Sequence, residues 1–327
     1  MEKRRDVSNK LNETPSKNSM PRIHIHFKEI LKYLTLAGIL LSFDMFAQTY
    51  DGLDQLDGHK LQVYYSQGLG SSQRVNEIAI RCDSVYSFYE STINFNPTGV
   101  KLLILDPDDW TKFALTGAPY GVPHYKSDNT LVIASQNNGL WKSFLPPIDK
   151  LPQQLAEEIS RIYVDKDGNP TMQPFFDLLA IHELGHAFHN QGELTMQRHW
   201  MTELFANIFL HTYIAEKEPI LLPALTVFPQ MVIAATDSEF QFTTLSDFEA
   251  KYDEIARRHP KNYGWYQSRL HSAAADIYNS GGGDVFAKLW RALEKHEDKL
   301  TDENLAVVLN TEVHQSVANV WLKWDDH

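Results

Sequence analysis

The sequence predicts an α+β protein with two lobes, a small mixed β-sheet lobe followed by a mainly helical lobe. Strand-like apolar segments are confined to residues 61–134, whereas from Thr171 onward apolar residues recur at helical spacing almost throughout. The 327 residues, 43% hydrophobic and 22% charged, have the composition of an ordinary folded protein with one large core or two smaller ones. We therefore predict an N-terminal segment at 1–48, a mixed lobe at 49–150 and a helical lobe at 151–327.

The N-terminal segment has the pattern of an export signal. A polar and basic stretch precedes the apolar run Tyr33–Phe43, which contains about 11 residues. A membrane-spanning helix needs roughly 17 to 25 apolar residues and a signal-peptide core about 7 to 15, so the run favours cleavage near residue 48. We expect an exported protein, periplasmic or extracellular, with translation starting at Met1 or Met20. The alternative is an uncleaved segment that anchors the protein to the membrane.

The charge of the chain argues against nucleic acid as a partner. The formal net charge is −12, and residues 1–48 contribute 8 of the 30 Lys and Arg but only 5 of the 42 Asp and Glu. Residues 49–327 therefore carry 22 basic and 37 acidic side chains, a net charge of −15. A phosphate-binding surface needs clustered Lys and Arg, and the sequence of the two lobes contains no run of them.

Three strands are predicted in the mixed lobe. Leu61–Tyr65 alternates in the manner of a half-buried strand, and Val100–Leu105 is a near-continuous apolar run that indicates a central strand. Thr130–Ala134 follows a polar turn and is the third strand. We expect Thr130–Ala134 to be an edge strand, able to hold an extended peptide by main-chain pairing. With one helix on a face, these strands form a small sheet.

The helix between the first two strands carries Cys82, the only cysteine of the chain. A single cysteine excludes an internal disulfide and a cysteine-based zinc site. Because Cys82 belongs to an apolar stripe at helical spacing, we expect a buried structural thiol and not a nucleophile. The stripe consists of Val75, Ile78, Ala79, Cys82, Val85, Tyr86 and Tyr89.

The helical lobe begins after a loop predicted at residues 136–151. Pro152 opens a short helix that runs through Ile159 and Tyr163. Asp165–Gly168 resembles the start of a calcium-binding loop, but an EF-hand needs its Gly at the sixth position and a Glu at the twelfth. Here Gly stands fourth, so we predict a plain turn.

The motif His182-Glu-Leu-Gly-His186 carries the predicted chemistry. Side chains at i and i+4 stand on the same face of a helix, and two imidazoles so placed can reach one metal ion. Glu183 is rotated by one residue and can approach a water held at that metal. Apolar residues flank the motif on both sides, and a carboxylate in an apolar helix costs free energy unless it has a partner or a task.

A second segment, Trp200–Asn207, supplies a third candidate ligand. Glu203 lies 17 positions after His186 on the next predicted helix, beyond a turn marked by Asn190 and Gly192. Two helices in this arrangement can bring Glu203 to the metal. His189 and His199 flank the two segments and are the alternative third ligands.

Together the two segments resemble the gluzincin branch of zinc metallopeptidases, the peptidase-MA-like proteins with H-E-x-x-H and a Glu on the next helix. Trp200–Ala206 is similar to the W-L-N-E-G-F-A signature of that branch's aminopeptidases, with Thr202 in place of the Asn and Leu204 in place of the Gly. The metzincin pattern does not fit, because His189 and Gly192 stand where it requires Gly and His.

The resemblance implies a zincin-like fold with one Zn2+ ion between the lobes. It places the zinc ligands at His182, His186 and Glu203 and the general base at Glu183. Asn207 falls where thermolysin-like members carry an Asp that orients a ligand His, and its amide can still accept a hydrogen bond from an imidazole.

A donor to the developing oxyanion is expected downstream. The segments Tyr263–Ser268 and Asp276–Gly283 resemble the region from which gluzincins supply a Tyr or His for this role. Tyr266 is the first choice as this second catalytic residue, followed by Tyr263 and His271.

These features predict an exported zinc-dependent metallopeptidase acting on a peptide or protein substrate, with Glu183 taking a proton from a zinc-activated water. Two alternatives stay open: a catalytically inactive zincin-fold binding protein, and a zinc hydrolase of a non-peptide amide. The presence of Glu183 favours an enzyme, because a structural zinc site has no need of this carboxylate.

Overall fold

The computed structural model describes residues 50–68, 73–145, 148, 153–165, 167–234 and 240–326. The predicted export segment at 1–48 lies outside these residues. Within the described ranges, none of the helices combines the length and the apolar character needed to cross a bilayer.

The mixed lobe contains one five-stranded sheet. Its order is β1-β2-β3-β5-β4, with β2, β3 and β5 parallel and the two outer strands antiparallel to their neighbours. The predicted central strand is confirmed as β3. The strands are β1 (Leu53–Leu56), β2 (Gln62–Ser66), β3 (Lys101–Leu105), β4 (His124–Lys126) and β5 (Thr130–Ala134).

The strand at one edge of this sheet is not the predicted one. Thr130–Ala134 was expected at the edge, but β5 pairs with β3 on one side and with β4 on the other, and all five of its residues are buried. The strand at this edge is β4, a three-residue segment of half-buried polar and aromatic residues. Burial of every residue, four of them apolar, is typical of an interior strand.

Helices make up most of the chain beyond residue 150, which confirms a mixed α+β architecture with a mainly helical C-terminal part. Short 3-10 helices occur at Pro219–Leu221 and Trp324–Asp326, and a π-helical turn at Leu309–Val313. The α-helices are α1 (Gln73–Ile93), α2 (Pro107–Phe113), α3 (Gly139–Ser143), α4 (Gln153–Ile162), α5 (Gln173–Phe176), α6 (Leu179–Gln191), α7 (His199–Lys217), α8 (Leu222–Ala234), α9 (Leu245–Arg258), α10 (Pro260–Gly281), α11 (Asp284–Lys295), α12 (Asp302–Val308) and α13 (Gln315–Leu322).

The predicted stripe of α1 is confirmed as its buried face. Cys82 is 1% exposed, and burial raises the pKa of its thiol to about 12. The thiol therefore stays protonated at neutral pH and is a packing residue.

Two local predictions before α6 have different outcomes. Asp165 accepts hydrogen bonds from the backbone N–H groups of Asp167 and Asn169, which confirms a turn. The predicted loop at 136–151 instead contains α3, because the Asn138 side chain caps this helix and the buried Trp141 anchors it.

The crossing of α6 and α7 is close because α6 has a glycine at the contact. A methyl group at Gly185 would lie 3.2 Å from Ala206 Cα and 3.3 Å from a ring carbon of Phe209. Since the atom nearest the added methyl belongs to the backbone of a buried helix, the contact cannot relax by a side-chain rotation. Gly185 thus sets the spacing between the two helices that carry the predicted ligands.

We predict that Gly185→Ala lowers the free energy of unfolding by about 1–2 kcal/mol, because overpacking outweighs the gain in helix propensity. Chemical denaturation measures this change. Gly264→Ala is the matched control, since Gly264 also lies inside a helix but a methyl group there meets no atom within 4 Å. This control should raise stability by about 0.5–1 kcal/mol. The same effect from both substitutions would contradict the close crossing.

Candidate metal centre

Helix α6 presents His182 and His186 on one face, as their spacing predicts. The Nε2 atoms of the two rings are 3.2 Å apart, and the rings are nearly perpendicular. His182 is buried, and His186 is the more exposed of the two, with 13% of its side chain accessible. The two free nitrogens therefore converge on one point.

Helix α7 brings Glu203 to the same point. Its Oε2 atom lies 3.3 Å from His182 Nε2 and 3.9 Å from His186 Nε2. The carboxylate is 4% exposed. His182, His186 and Glu203 form a group that could hold a metal ion, and each of them offers one donor atom.

The other nitrogen of each imidazole also has a partner. His182 Nδ1 lies 2.8 Å from Asn207 Oδ1, which fits donation from the ring N–H to the amide oxygen. His186 Nδ1 lies 3.2 Å from His189 Nε2. Such contacts fix the ring orientation and leave Nε2 directed at the metal position. The contact of Asn207 with His182 is the one that the sequence predicts, and His189 lies against His186 and not among the donor atoms.

Two residues that sequence analysis missed hold Glu203. The Tyr252 hydroxyl donates to Oε1 at 2.6 Å, and Gln267 Nε2 donates to Oε2 at 2.9 Å. Tyr252 follows a kink in α9, where Lys251 leaves the helical conformation. Both residues are far from Glu203 in sequence, and no spacing pattern identifies them.

Burial and charge give the donors distinct protonation states. Burial alone would raise the pKa of Glu203, but hydrogen bonding and charge from His182 and His186 outweigh burial and hold the pKa well below its usual range. Burial lowers the pKa of His186 to about 3. Burial also acts to lower the pKa of His182, yet Glu203 and Glu183 reverse this effect and raise it. The point between the ionised Glu203 carboxylate and the two imidazoles therefore favours a cation.

Glu183 is 6% exposed and lies beside this group. The backbone of Tyr125 in β4 approaches this carboxylate and acts to lower its pKa. Burial raises the pKa of Glu183 to about 7, partly offset by the charge of His182. A carboxyl with this pKa can accept and release protons near neutral pH.

The structure does not bring Tyr266 to the donor group. Its hydroxyl donates to the Thr244 carbonyl at 2.8 Å, and its ring packs against Phe248 and Trp324. The predicted role of Tyr266 as oxyanion donor does not fit this placement, because its one O–H proton is already used in a core contact.

The second choice, Tyr263, lies at the site. Gln267 Nε2 donates to the Tyr263 hydroxyl at 2.8 Å while also contacting Glu203, and the charge of Glu203 adds to burial in raising the pKa of Tyr263. His271, the third choice, has its ring 6.1 Å from the ring of His182. Tyr263, Gln267 and His271 share one face of α10 at four-residue spacing.

His199 stacks on the Tyr252 ring with centroids 5.6 Å apart. Among the described residues, the metal-binding group includes neither His189 nor His199. Glu203 therefore remains the third candidate ligand.

No known protein-family model matches this chain, and a search of curated proteins found no match.

We predict that Asn207→Ala lowers the metal affinity about 10- to 100-fold, because the His182 ring loses the acceptor that fixes its orientation. Competitive titration with a metal-binding dye measures the affinity. Asn207→Asp should bind more tightly than the wild type, since a carboxylate makes the imidazole a stronger donor. Asn304→Ala, at an exposed position of α12, is the control and should leave the affinity unchanged. Equal affinities for the Ala and Asp variants would contradict the proposed contact.

Proposed function

We propose that the protein is a zinc-dependent metallopeptidase of the gluzincin type, with a zincin-like fold, in which Glu183 is the general base. The observation that carries the proposal is the position of Glu183, a buried carboxylate beside a three-donor group. Within the described ranges, Glu183 forms no ion pair with Lys or Arg. A metal site with a purely structural role gains nothing from this extra buried acid.

The donor set fits zinc. Two imidazoles and one carboxylate are ligands of catalytic zinc sites, which keep a fourth position open. Donors bound at 2.0 to 2.1 Å in tetrahedral geometry lie about 3.3 Å from one another. His182 Nε2 lies 3.2 Å from His186 Nε2 and 3.3 Å from Glu203 Oε2, and the third separation is 3.9 Å. A small adjustment of Glu203 completes the site.

Zinc at this position would polarise water and the substrate carbonyl at neutral pH. Glu183 takes a proton from the attacking water and returns it to the amine that leaves. One side chain serves both steps, since the carboxylate accepts the proton and the acid then releases it. Tyr252 and Gln267 hold Glu203 so that the donor atoms keep their positions.

We assign oxyanion stabilisation to Tyr263 in place of Tyr266. The Tyr263 hydroxyl accepts a hydrogen bond from Gln267, so its own proton can be donated to the substrate. The charges of Glu203 and Glu183 both act on this hydroxyl, which supports its location at the reacting centre.

The substrate is a peptide, and β4 is the strand proposed to hold it. Within the described residues this strand pairs with β5 alone, and the backbone of Tyr125 approaches Glu183. An extended peptide added along this edge lies beside α6, with its carbonyl groups close to the donor group. The segment at 1–48 supports action outside the cytoplasm.

The decisive experiment compares the wild type with Glu183→Gln. We expect one zinc ion per chain in both proteins, peptide hydrolysis by the wild type that a chelator abolishes, and a loss of at least 1000-fold in the variant. Mass spectrometry of a digested peptide library measures the hydrolysis. Bound zinc without chelator-sensitive cleavage of peptides would contradict the proposal and leave a binding protein or a hydrolase of another amide.

We predict opposite results from removal of two tyrosine hydroxyls. Tyr263→Phe should lower kcat roughly 100- to 1000-fold with little change in KM, because the hydroxyl acts on the developing oxyanion. Tyr266→Phe should leave kcat near the wild-type value and reduce stability by about 1 kcal/mol, because it removes the hydrogen bond to Thr244. Steady-state kinetics and denaturation together test both assignments. A large loss of kcat in Tyr266→Phe alone would restore Tyr266 as the donor.

A further inference from the structure

Gln267 of α10 joins two parts of the candidate metal centre. Its Nε2 atom donates to Glu203 Oε2 at 2.9 Å and to the Tyr263 hydroxyl at 2.8 Å. Glu203 Oε2 is also the oxygen that lies 3.3 Å from His182 Nε2. One amide nitrogen therefore contacts both a candidate metal ligand and the residue assigned to the oxyanion.

The charge of Glu203 fixes which end of the Gln267 amide faces it. Although burial acts to raise the pKa of Glu203, hydrogen bonding and charge from the two imidazoles hold it well below its usual range. The carboxylate is therefore ionised and can only accept hydrogen bonds. The amide must direct its NH2 group at this carboxylate and its oxygen elsewhere. An NH2 group has two hydrogens, and Glu203 and Tyr263 account for both.

The ionised carboxylate is the acceptor that competes for the Tyr263 proton. Hydrogen bonds to a carboxylate are stronger than those to a neutral carbonyl, so a hydroxyl beside Glu203 would donate to it in preference to a substrate. In this structure other donors hold both oxygens of Glu203, Tyr252 at Oε1 and Gln267 at Oε2. Because the Gln267 amide contacts both groups, it stands between the Tyr263 hydroxyl and this acceptor.

The Tyr263 hydroxyl is the acceptor in these contacts. An amide nitrogen only donates, so Tyr263 cannot donate to Gln267 Nε2. Burial and the charge of Glu203 raise the pKa of Tyr263, and the contacts with Tyr252 and Gln267 act in the opposite direction, as expected of hydrogen bonds that its oxygen accepts. The Tyr263 proton is thus left for a group outside this network, whereas the proton of Tyr266 goes to the Thr244 carbonyl.

We propose that Gln267 is the positioning residue of the oxyanion donor: by donating to both Glu203 and Tyr263, it keeps the Tyr263 proton from the carboxylate and leaves it for the substrate. The effect on catalysis rests on the proposed function, because it passes through Tyr263. The direction of the hydrogen bonds does not, and it can be observed without a substrate. Methionine or glutamate at position 267 would have a similar length but could not donate in this way.

Steady-state kinetics of the full-length protein at saturating zinc test the effect on the reaction. Gln267→Met removes both N–H donors and should lower kcat at least about tenfold, with KM nearly unchanged and one zinc ion per chain. Gln267→Glu should lower kcat at least as far, because the new carboxylate accepts the Tyr263 proton. Gln230→Met, at an exposed position of α8, is the matched control and should behave like the wild type.

A double-mutant cycle separates positioning from a general structural role. If Gln267 acts through Tyr263, adding Gln267→Met to Tyr263→Phe should lower kcat further by less than about threefold. A structural role would give the same loss in both backgrounds, since damage to the fold does not depend on the Tyr263 hydroxyl. Additive effects of the two substitutions would therefore contradict the proposal.

Neutron diffraction from the deuterated, zinc-loaded protein locates the Tyr263 deuteron and needs no activity. In the wild type this deuteron should point away from both Glu203 and Gln267, and in Gln267→Met it should turn toward Glu203. A wild-type deuteron directed at Glu203, or the same direction in both proteins, would overturn the proposal even if the protein cleaves peptides. Absence of chelator-sensitive cleavage would instead overturn the proposed peptidase, and the deuteron positions would still decide the role of Gln267.

Discussion

The contact between Glu203 and His182 is the interaction on which the arrangement of the helical lobe depends. Both side chains are almost completely buried, and a carboxylate in such a place is costly unless donors or cations surround it. His182 lies 3.3 Å from the Glu203 carboxylate, and Tyr252 and Gln267 donate to its two oxygens. Helices α6, α9 and α10 must therefore all converge on one residue of α7. The packing of these four helices and the geometry of the donor atoms therefore depend on each other.

The mixed lobe also helps to position the donor group, through contacts near the start of α6. Arg74 of α1 pairs with Asp177, two positions before α6 begins, and donates at 2.8 Å to the carbonyl of Ala134 at the end of β5. The backbone of Tyr125 in β4 also approaches Glu183. The sheet thus fixes where the motif helix begins and how its acid is oriented.

Patterns that are local in sequence were predictable, and contacts set by tertiary packing were not. The α1 stripe, β3, and the approach of Glu203 to the two histidines all follow from spacing along one or two adjacent segments. The strand β4 has only three residues and no apolar alternation, so no periodic signal exists. Tyr263 and Tyr266 lie in the same turn of α10, and nothing in their spacing indicates that the Tyr263 hydroxyl contacts Gln267 whereas the Tyr266 hydroxyl donates to Thr244. Tyr252 depends on a kink that its neighbours in sequence do not indicate.

A polar seam between α7 and α10 extends from the candidate metal centre to His211 and His271. It consists of Glu203, Asn207 and His211 on α7 and of Tyr263, Gln267 and His271 on α10, each row at four-residue spacing. Helices that only pack against each other gain about 0.8 kcal/mol for each buried CH2 group, so apolar residues would stabilise this interface more. At the first end the seam surrounds an ionised carboxylate and favours a cation. At the second end His211 and His271 are buried, with 5% and 8% of their surface exposed. Stability alone does not account for the buried carboxylate at the first end, whereas the proposed metal site does.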